Sequence, residues 1–366
     1  MNKRTPLYRT HVASEARIVP FGGWDMPVQY SRGIIHEVNQ VRRNVGIFDV
    51  SHMARLMFSG ADAGRFLDTV LSVRASRLTH GQGRYHLICN ENGGIIDDAI
   101  VYNLEKNRYL LVVNAGNADV DKEWMSMQMA RFEERGDGDV GYVDFTHDIA
   151  MIAVQGPKAL SMLSDLTGGE TDGIARFHAG EATLDGERIL AARTGYTGED
   201  GFEIMFDSSH APDIWAMLVE AGATPCGLGA RDALRLEAGF MLHGSDITTE
   251  NNPYEAGLRW AVKPNRPEYL FGEVLRNIRD HGTPRKMTGF AMRSRGIARH
   301  GHRISAGGQE VGIVTSGSHS PTLGSAIAMG YIDVEHSELG TPVQIDVRGK
   351  TVEAEVVPMP FHPHGY

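Results

Sequence analysis

Two adjacent carboxylates, Asp97 and Asp98, stand in a stretch that otherwise reads as an apolar strand, Ile95 to Tyr102, entered through the turn Asn92-Gly93-Gly94. Charge is costly there: a carboxylate on an apolar surface must be hydrogen-bonded, paired or shifted in pKa. Side chains two apart along a strand share a face, so Asp98 lines up with Ile96, Ile100 and Tyr102 while Asp97 faces the other way. A carboxylate beside a tyrosine on an apolar floor is a wall suited to a flat, nitrogen-rich ring. The same residues could instead satisfy backbone groups at the glycine turn, and this strand alone leaves both readings open.

Glu203 is a second candidate. It lies in the run Arg193-Thr194-Gly195-Tyr196-Thr197-Gly198-Glu199-Asp200-Gly201-Phe202-Glu203, where Phe202, Ile204 and Phe206 alternate with Glu203 on the opposite face. A carboxylate accepts two parallel N–H groups, which suits the amino edge of a pterin as well as an arginine, and a solvated Glu on an amphipathic strand is the plainer alternative. Gly227-Leu228-Gly229-Ala230-Arg231-Asp232 lacks the third glycine of a dinucleotide turn. It reads better as a tight turn delivering Arg231 to a site, with Arg235 one helical turn on, or as part of a surface network with Glu237. The pairs His300/His302 and His362/His364 offer no third metal ligand and read as solvent-exposed. His52 could be core or site, and Met125, Met127 and Met129 read as helix packing.

These groups need elements to position them. Ile34 to Val45 has helical periodicity and leads into a short strand ending near His52. Ala61 to Leu71 reads as a helix, Tyr85 to Asn90 and Ile95 to Tyr102 as a hairpin, Tyr109 to Val113 as a third strand, and Asn117 as the cap of a helix through Phe132. The charged run Glu133 to Asp139 reads as a surface connection or boundary. Beyond it, Ile149 to Val154 predicts a strand and Lys158 to Leu166 a helix. Ile189 to Tyr196 with Phe202 to Phe206 predict a second hairpin, followed by helices over Pro212 to Ala221 and Ala230 to Leu242. Both halves share a strand, helix and hairpin order, which suggests a structural duplication. Short β-type runs at Met287 to Met292, Glu310 to Thr315, Ala326 to Ile332, Val343 to Val347 and Thr351 to Val357 suggest a small barrel or sandwich.

A length of 366 residues allows two or three domains with substantial cores. The formal net charge of -10 argues against general nucleic-acid affinity, which needs clustered cations. No run approaches the roughly 18 apolar residues of a membrane span, and Cys89 and Cys226 have neither metal-ligand nor disulfide spacing. A cytoplasmic protein is expected, or an organellar one whose transit peptide has been removed.

Taken in order, these segments resemble the aminomethyltransferase family, the T-protein of the glycine cleavage system, over nearly the whole chain. The likeness rests on Arg4-Thr5-Pro6-Leu7, Gly23-Trp24-Asp25-Met26-Pro27, Phe48 to Met53, Gly93 to Asp98, Val112-Val113-Asn114-Ala115, Gln155-Gly156-Pro157 and Arg193 to Glu203. It continues through Gly227 to Asp232, Arg235 to Gly239, Pro253 to Trp260, Thr315-Ser316-Gly317 and Ser320 to Gly324.

The resemblance implies an α+β protein built as a three-domain cloverleaf around a central folate channel. Two α/β (ferredoxin-like) domains would be joined by a C-terminal small β-barrel: 1–52 with 139–275, then 53–138, then 276–366. It implies tetrahydrofolate as cofactor, Asp98 as the catalytic residue beside its N5 and N10 atoms, Glu203 and Tyr196 holding the pterin, and Arg231 supporting it. Met53, Tyr85, Tyr102, Asn114 and Trp260 match further lining positions, with Ile100 on the face of Asp98. The implied donor is an aminomethyl group on the lipoyl arm of a partner, the H-protein, in a monomer or weak homodimer of the bacterial cytoplasm or, in a eukaryote, the mitochondrial matrix. The basic stretch Arg293, Arg295, Arg299 and Arg303 is either a face for an acidic carrier or folate tail or a solvated loop. Val73-Arg74, His243 and Ser245 depart from the family on the donor side, and the tail Pro360-Phe361-His362 lacks a basic residue that some members use. This leaves as the alternative a folate-dependent demethylase using a small-molecule methyl donor: a methylated amine, sulfonium or aryl ether. A folate-binding module without turnover fits less well, because Asp98 is retained.

Overall fold

The computed structural model describes residues 2–134, 136 and 138–366. The predicted connection Glu133 to Asp139 includes Arg135 and Asp137, which lie outside the described residues. Two compact units are present: one of residues up to Ile88 with Asp97–Arg231 and Gly365–Tyr366, the other of Cys89–Ile96 and Asp232–His364.

The first unit begins with β1 (Lys3–Arg4), α1 (Tyr8–Ala13), β2 (Arg17–Phe21) and β3 (Trp24–Gln29), whose strands pair in the order β1-β3-β2. Then come α2 (Ile34–Arg43) and β4 (Gly46–Asp49), a strand buried along its whole length. The next elements are β5 (Ala54–Ser59), α3 (Ala63–Val70), β6 (Gly83–Cys89), β7 (Ile95–Glu105), β8 (Arg108–Val113), α4 (Ala118–Glu133) and β9 (Gly141–Asp144). They form a five-stranded sheet ordered β6-β7-β8-β5-β9. The chain continues through β10 (Ile149–Gln155), α5 (Ala159–Leu166), β11 (Ala179–Leu184), β12 (Glu187–Ala192), β13 (Gly201–Asp207), α6 (Ala211–Glu220) and β14 (Thr224–Pro225). With β4 these strands make a six-stranded sheet ordered β11-β12-β13-β10-β4-β14.

The two sheets repeat one topology. Each is built β-α-β-β-β-α-β with its strands ordered 2-3-4-1-5 in space, β4 being inserted between the first and fifth strands of the second copy. The duplication suggested by the order of predicted elements is therefore real at the level of topology. β10 lies between β13 and β4 and is buried beyond its first residue, and Ile152, Val154, Phe202 and Ile204 share one core with Trp215 and Leu218 of α6.

Then follow α7 (Leu228–Glu237), α8 (Gly272–His281), β15 (Arg285–Met292), β16 (Arg303–Ala306), β17 (Gln309–Ser320), β18 (Ser325–Asp333), β19 (Pro342–Val347) and β20 (Lys350–Val357). The six strands close into a barrel around Phe290, Val314, Ala328, Ile345 and Val356, which decides between barrel and sandwich. The mixed α/β architecture with a C-terminal barrel is the expected class.

Three local expectations are corrected. The helix predicted through Leu242 stops at Glu237, because Gly239 takes a left-handed conformation (φ 70°) and the Phe240 amide turns back to the Arg235 carbonyl. The hairpin strand predicted through Tyr196 stops at Ala192, and residues 193–200 form a loop. Strand β11, at the edge of the six-stranded sheet, and strand β16, between β17 and β19 in the barrel, were not anticipated.

Within the second unit Arg235 is not on a surface network. It is 2% exposed and donates to Asp246 Oδ2 (2.6 Å) and to Ser316 Oγ on β17 (2.7 Å). Asp246, fully buried, also accepts from Thr315 Oγ1 (2.5 Å), while Glu237 accepts from Ser320 Oγ (2.6 Å) and Thr322 Oγ1 (2.7 Å). Removing one partner of such a pair strands the other's charge. Asp246→Ala should lower unfolding stability by about 3–5 kcal/mol, read from denaturant titration, and a loss within error would show that Arg235 is not held by this pair.

Candidate functional site

Asp98 lies on β7 and is half-buried. Its Oδ2 accepts from Tyr85 Oη (3.0 Å) on β6, and its Oδ1 from Asn114 Nδ2 (3.0 Å), which stands immediately after β8. The same amide nitrogen reaches Asp97 Oδ1 (2.8 Å) and the Asp98 carbonyl (2.9 Å), and the Asn114 backbone N–H donates to Asp97 Oδ2 (3.1 Å). Burial, reinforced by Asp98, pushes the Tyr85 phenol well above its ordinary value, so it remains a donor. The glycine-turn alternative is not what is observed: Tyr85 holds Asp98, and Asn114 holds both carboxylates.

Four residues farther along β7, on the same face, stands Tyr102, about 13 Å from Asp98 at roughly 3.3 Å per residue, with Ile100 between. The Tyr102 hydroxyl meets Thr194 Oγ1 (2.9 Å), which donates to Glu203 Oε2 (2.6 Å). Glu203 is 9% exposed; burial raises its carboxyl, while Thr194 and Arg231 oppose the rise. Glu203 is thus not the solvated strand residue of the plainer alternative. Arg231, at the first turn of α7, sets its guanidinium 4.7 Å from the centre of the Tyr196 ring; burial lowers its pKa and Glu203 opposes that. Tyr196 also influences Tyr85 electrostatically, which brings the two groups to one neighbourhood.

The loop 193–200 owes its shape to buried polar side chains. Gln155 donates to the Thr194 carbonyl (3.0 Å) and accepts from Thr197 Oγ1 (2.8 Å), Arg193 pairs with Asp200 (2.7 Å), and Arg42 with Glu199 (2.8 Å). A Cβ at Gly195 would fall 1.9 Å from Gln155 Oε1, so a larger residue there would have to displace the Gln155 amide from its partners. The turn that carries Met53 is held by fully buried Arg55, whose guanidinium donates to the carbonyls of Ser51, Met53, Thr146 and Ile149. His52 is 2% exposed and its pKa falls to about 3 through burial, which makes it a neutral core residue.

The sequence-predicted residues Met53, Tyr85, Asp98, Ile100, Tyr102, Asn114, Tyr196, Glu203 and Arg231 all lie in the first unit. Trp260 belongs to the second, on the turn Arg259–Ala261, and is 59% exposed. Thr194, Gln155 and Arg55 were not anticipated; the Gln-Gly-Pro at the end of β10 was the one sequence signal for Gln155. In the basic stretch, Arg293 pairs with Glu355 (2.9 Å), Arg303 with Glu310 (2.9 Å), and Arg299 donates to the Gly317 carbonyl (2.8 Å). Among the described residues, the one group with metal-ligand proximity is Asp333, Glu335 and His336, where both carboxylates are exposed; His300/His302 and His362/His364 form none. No helix of the described residues is long and apolar enough to cross a membrane.

A doubled α/β unit with converging carboxylates, tyrosines and an arginine, followed by a closed barrel, is an architecture with known counterparts. Residues 7–266 match the GCVT N-terminal domain and residues 285–362 the glycine cleavage T-protein C-terminal barrel domain. The chain belongs to the glycine cleavage T-protein family, and with it to the enzymes that transfer one-carbon groups. It is 45% identical to an aminomethyltransferase of Rubrobacter xylanophilus over 98% of this chain and 94% of that one, and 42% identical to one of Bacillus subtilis over 99% of each. The solved glycine cleavage system aminomethyltransferase T of Bartonella henselae superposes with a TM-score of 0.92 at 34% identity, covering 100% of this chain and 99% of that one.

Thr194→Val should remove the donor to Glu203 and leave a buried carboxylate unsatisfied. Its expected effects are a loss of about 1–3 kcal/mol in thermal unfolding and a further rise in the Glu203 pKa, followed by NMR of the labelled carboxyl; an unmoved titration would show that Thr194 does not serve Glu203.

Proposed function

We propose that the enzyme moves the methylene carbon of an aminomethyl group, carried on a sulfur of the lipoyl arm of an H-protein, to tetrahydrofolate, with release of ammonia and the free dihydrolipoyl thiol and formation of 5,10-methylenetetrahydrofolate. Tetrahydrofolate supplies two nitrogens that can receive one carbon. The donor set fits it: Glu203 suits the amino and N–H edge of a pterin, Tyr196 and Arg231 offer a flat, cationic-backed surface, and Met53, Tyr85, Ile100, Tyr102 and Asn114 supply the rest of the wall. Trp260 is a folate-binding position on the strength of the family resemblance alone. The same reading divides the chain into 1–52 with 139–275, 53–138 and 276–366, and places it in the bacterial cytoplasm or the mitochondrial matrix.

The observation that carries this reading is the setting of Asp98. Tyr85 and Asn114 are neutral donors, so they orient the carboxylate without cancelling its charge. Positive charge develops on the transferred carbon as ammonia leaves, and a fixed carboxylate stabilises it without having to reorganise. Asp98 can also accept or relay the proton lost from the attacking nitrogen. Apolar neighbours limit water, which would otherwise hydrolyse the electrophile to formaldehyde.

Incubation with tetrahydrofolate and aminomethylated H-protein should release ammonia and form methylenetetrahydrofolate in equal amounts. Methyl-tetrahydrofolate from a small donor, or folate binding without product, would overturn the donor assignment. Asp98→Asn should cut turnover by about 10²-fold or more while leaving folate affinity within a few-fold; unchanged turnover would remove Asp98 from the chemistry.

A further inference from the structure

The polar groups behind Asp98 do not balance as ordinary carboxylates. Asp97, on the opposite face of β7, is fully buried, and each of its oxygens already accepts an N–H from Asn114 (2.8 and 3.1 Å). Asp121 of α4, also fully buried, lies within hydrogen-bonding reach of Asp97. Its Oδ1 accepts from Asn117 Nδ2 (2.9 Å), but its Oδ2 has no hydrogen-bond partner. Asn117 occupies the N-cap position of α4 without capping it; its side chain is turned to Asp121 instead.

The titratable groups facing Asp121 are Asp97 and Asp98 of β7. On its own helix, Asp119 and Lys122 pair with one another (3.0 Å), and Lys122 also reaches Asp144 of β9 (3.1 Å). Two buried carboxyl groups in contact cannot both stay ionised. Asp97 has both oxygens engaged as acceptors, and Asp121 has one that accepts nothing. The free position for a proton is Asp121 Oδ2.

We propose that Asp121 is a positioning residue that carries this proton and donates it to Asp97, and that the acid–carboxylate pair fixes Asn114, which in turn aligns Asp98. The inference rests on the reading of Asp98 as the carboxylate at the reacting centre. Burial, with Asp98 adding to it, pushes the Asp121 carboxyl from 3.8 up to about 7 against the opposing contacts with Asp97 and Asn117. A pKa raised by folding makes the proton's stabilisation complete below the unfolded value and lost as pH rises through about 7. Alkaline loss of Asn114 alignment follows.

Infrared difference spectra of the full-length protein between about pH 5 and about pH 9 should contain the carbonyl band of a buried un-ionised carboxylic acid, absent from Asp121→Asn. A wild type without that band overturns the proton assignment whatever reaction the enzyme runs. In turnover assays, kcat of the wild type should fall on the alkaline side, whereas Asp121→Asn, which keeps an N–H donor at every pH, should lose that limb. Asp121→Ala should lower kcat by about tenfold with KM for the acceptor nearly unchanged. Identical kcat–pH profiles in all three proteins, with only thermal stability altered, would make Asp121 a packing residue and sink the proposal. Absence of turnover with every donor would count against the reading of Asp98 and leave the infrared result to judge Asp121.

Discussion

A carboxylate removed from water needs donors, and the amide of Asn114 is the group on which the candidate site depends. It bridges Asp97 and Asp98, two residues that strand geometry sends to opposite faces, and so links the inner packing of a sheet to its reactive surface. Its own place is set by the end of β8 and by the turn into α4, where the Asn117 amide donates to the Asn114 carbonyl (3.0 Å). Any disturbance of that corner reaches Asp98 through a single side chain.

The molecule serves its buried acids in two ways. At Asp98 and Glu203 the donors are tyrosine, amide and threonine groups, which hold the carboxylate and leave its charge in place. At the loop and the barrel the partners are arginines: Arg193 with Asp200, Arg42 with Glu199, Arg235 with Asp246. There the charge is neutralised and the product is rigidity. Glu237 joins segments by the first means, accepting from the hydroxyls of Ser320 and Thr322.

Strand periodicity made Asp98, Ile100 and Tyr102 legible as one face, and glycine turns with apolar runs disclosed most elements. What could not be read was decided by partners distant in sequence. Tyr102 finds Thr194, and Arg55 finds the carbonyls of Thr146 and Ile149, about a hundred residues away, pairings that no local pattern encodes. Asn117 looked like a cap by type and position, yet its side chain answers a buried acid one turn on. The strand was expected to run on to Tyr196 from the apolar Ile189 to Ala192, but the Arg193–Asp200 pair and Gln155 bend the following residues into a loop. The early stop of α7 was written in Gly239 and was masked by the apolar residues after it.

The position of β4 has a consequence for how the polypeptide comes together. This strand is buried on every side, yet its neighbours β10 and β14 are both made later. The Val50 amide bonds to the Met151 carbonyl (3.0 Å), so everything between is an excursion whose ends meet. During synthesis β4 leaves the ribosome with nothing to pair with, and closing so long a flexible coil would carry an entropic cost. Were the β5–β9 segment to collapse into its own sheet first, those ends would already be together when β10 and β14 emerged to pair with β4.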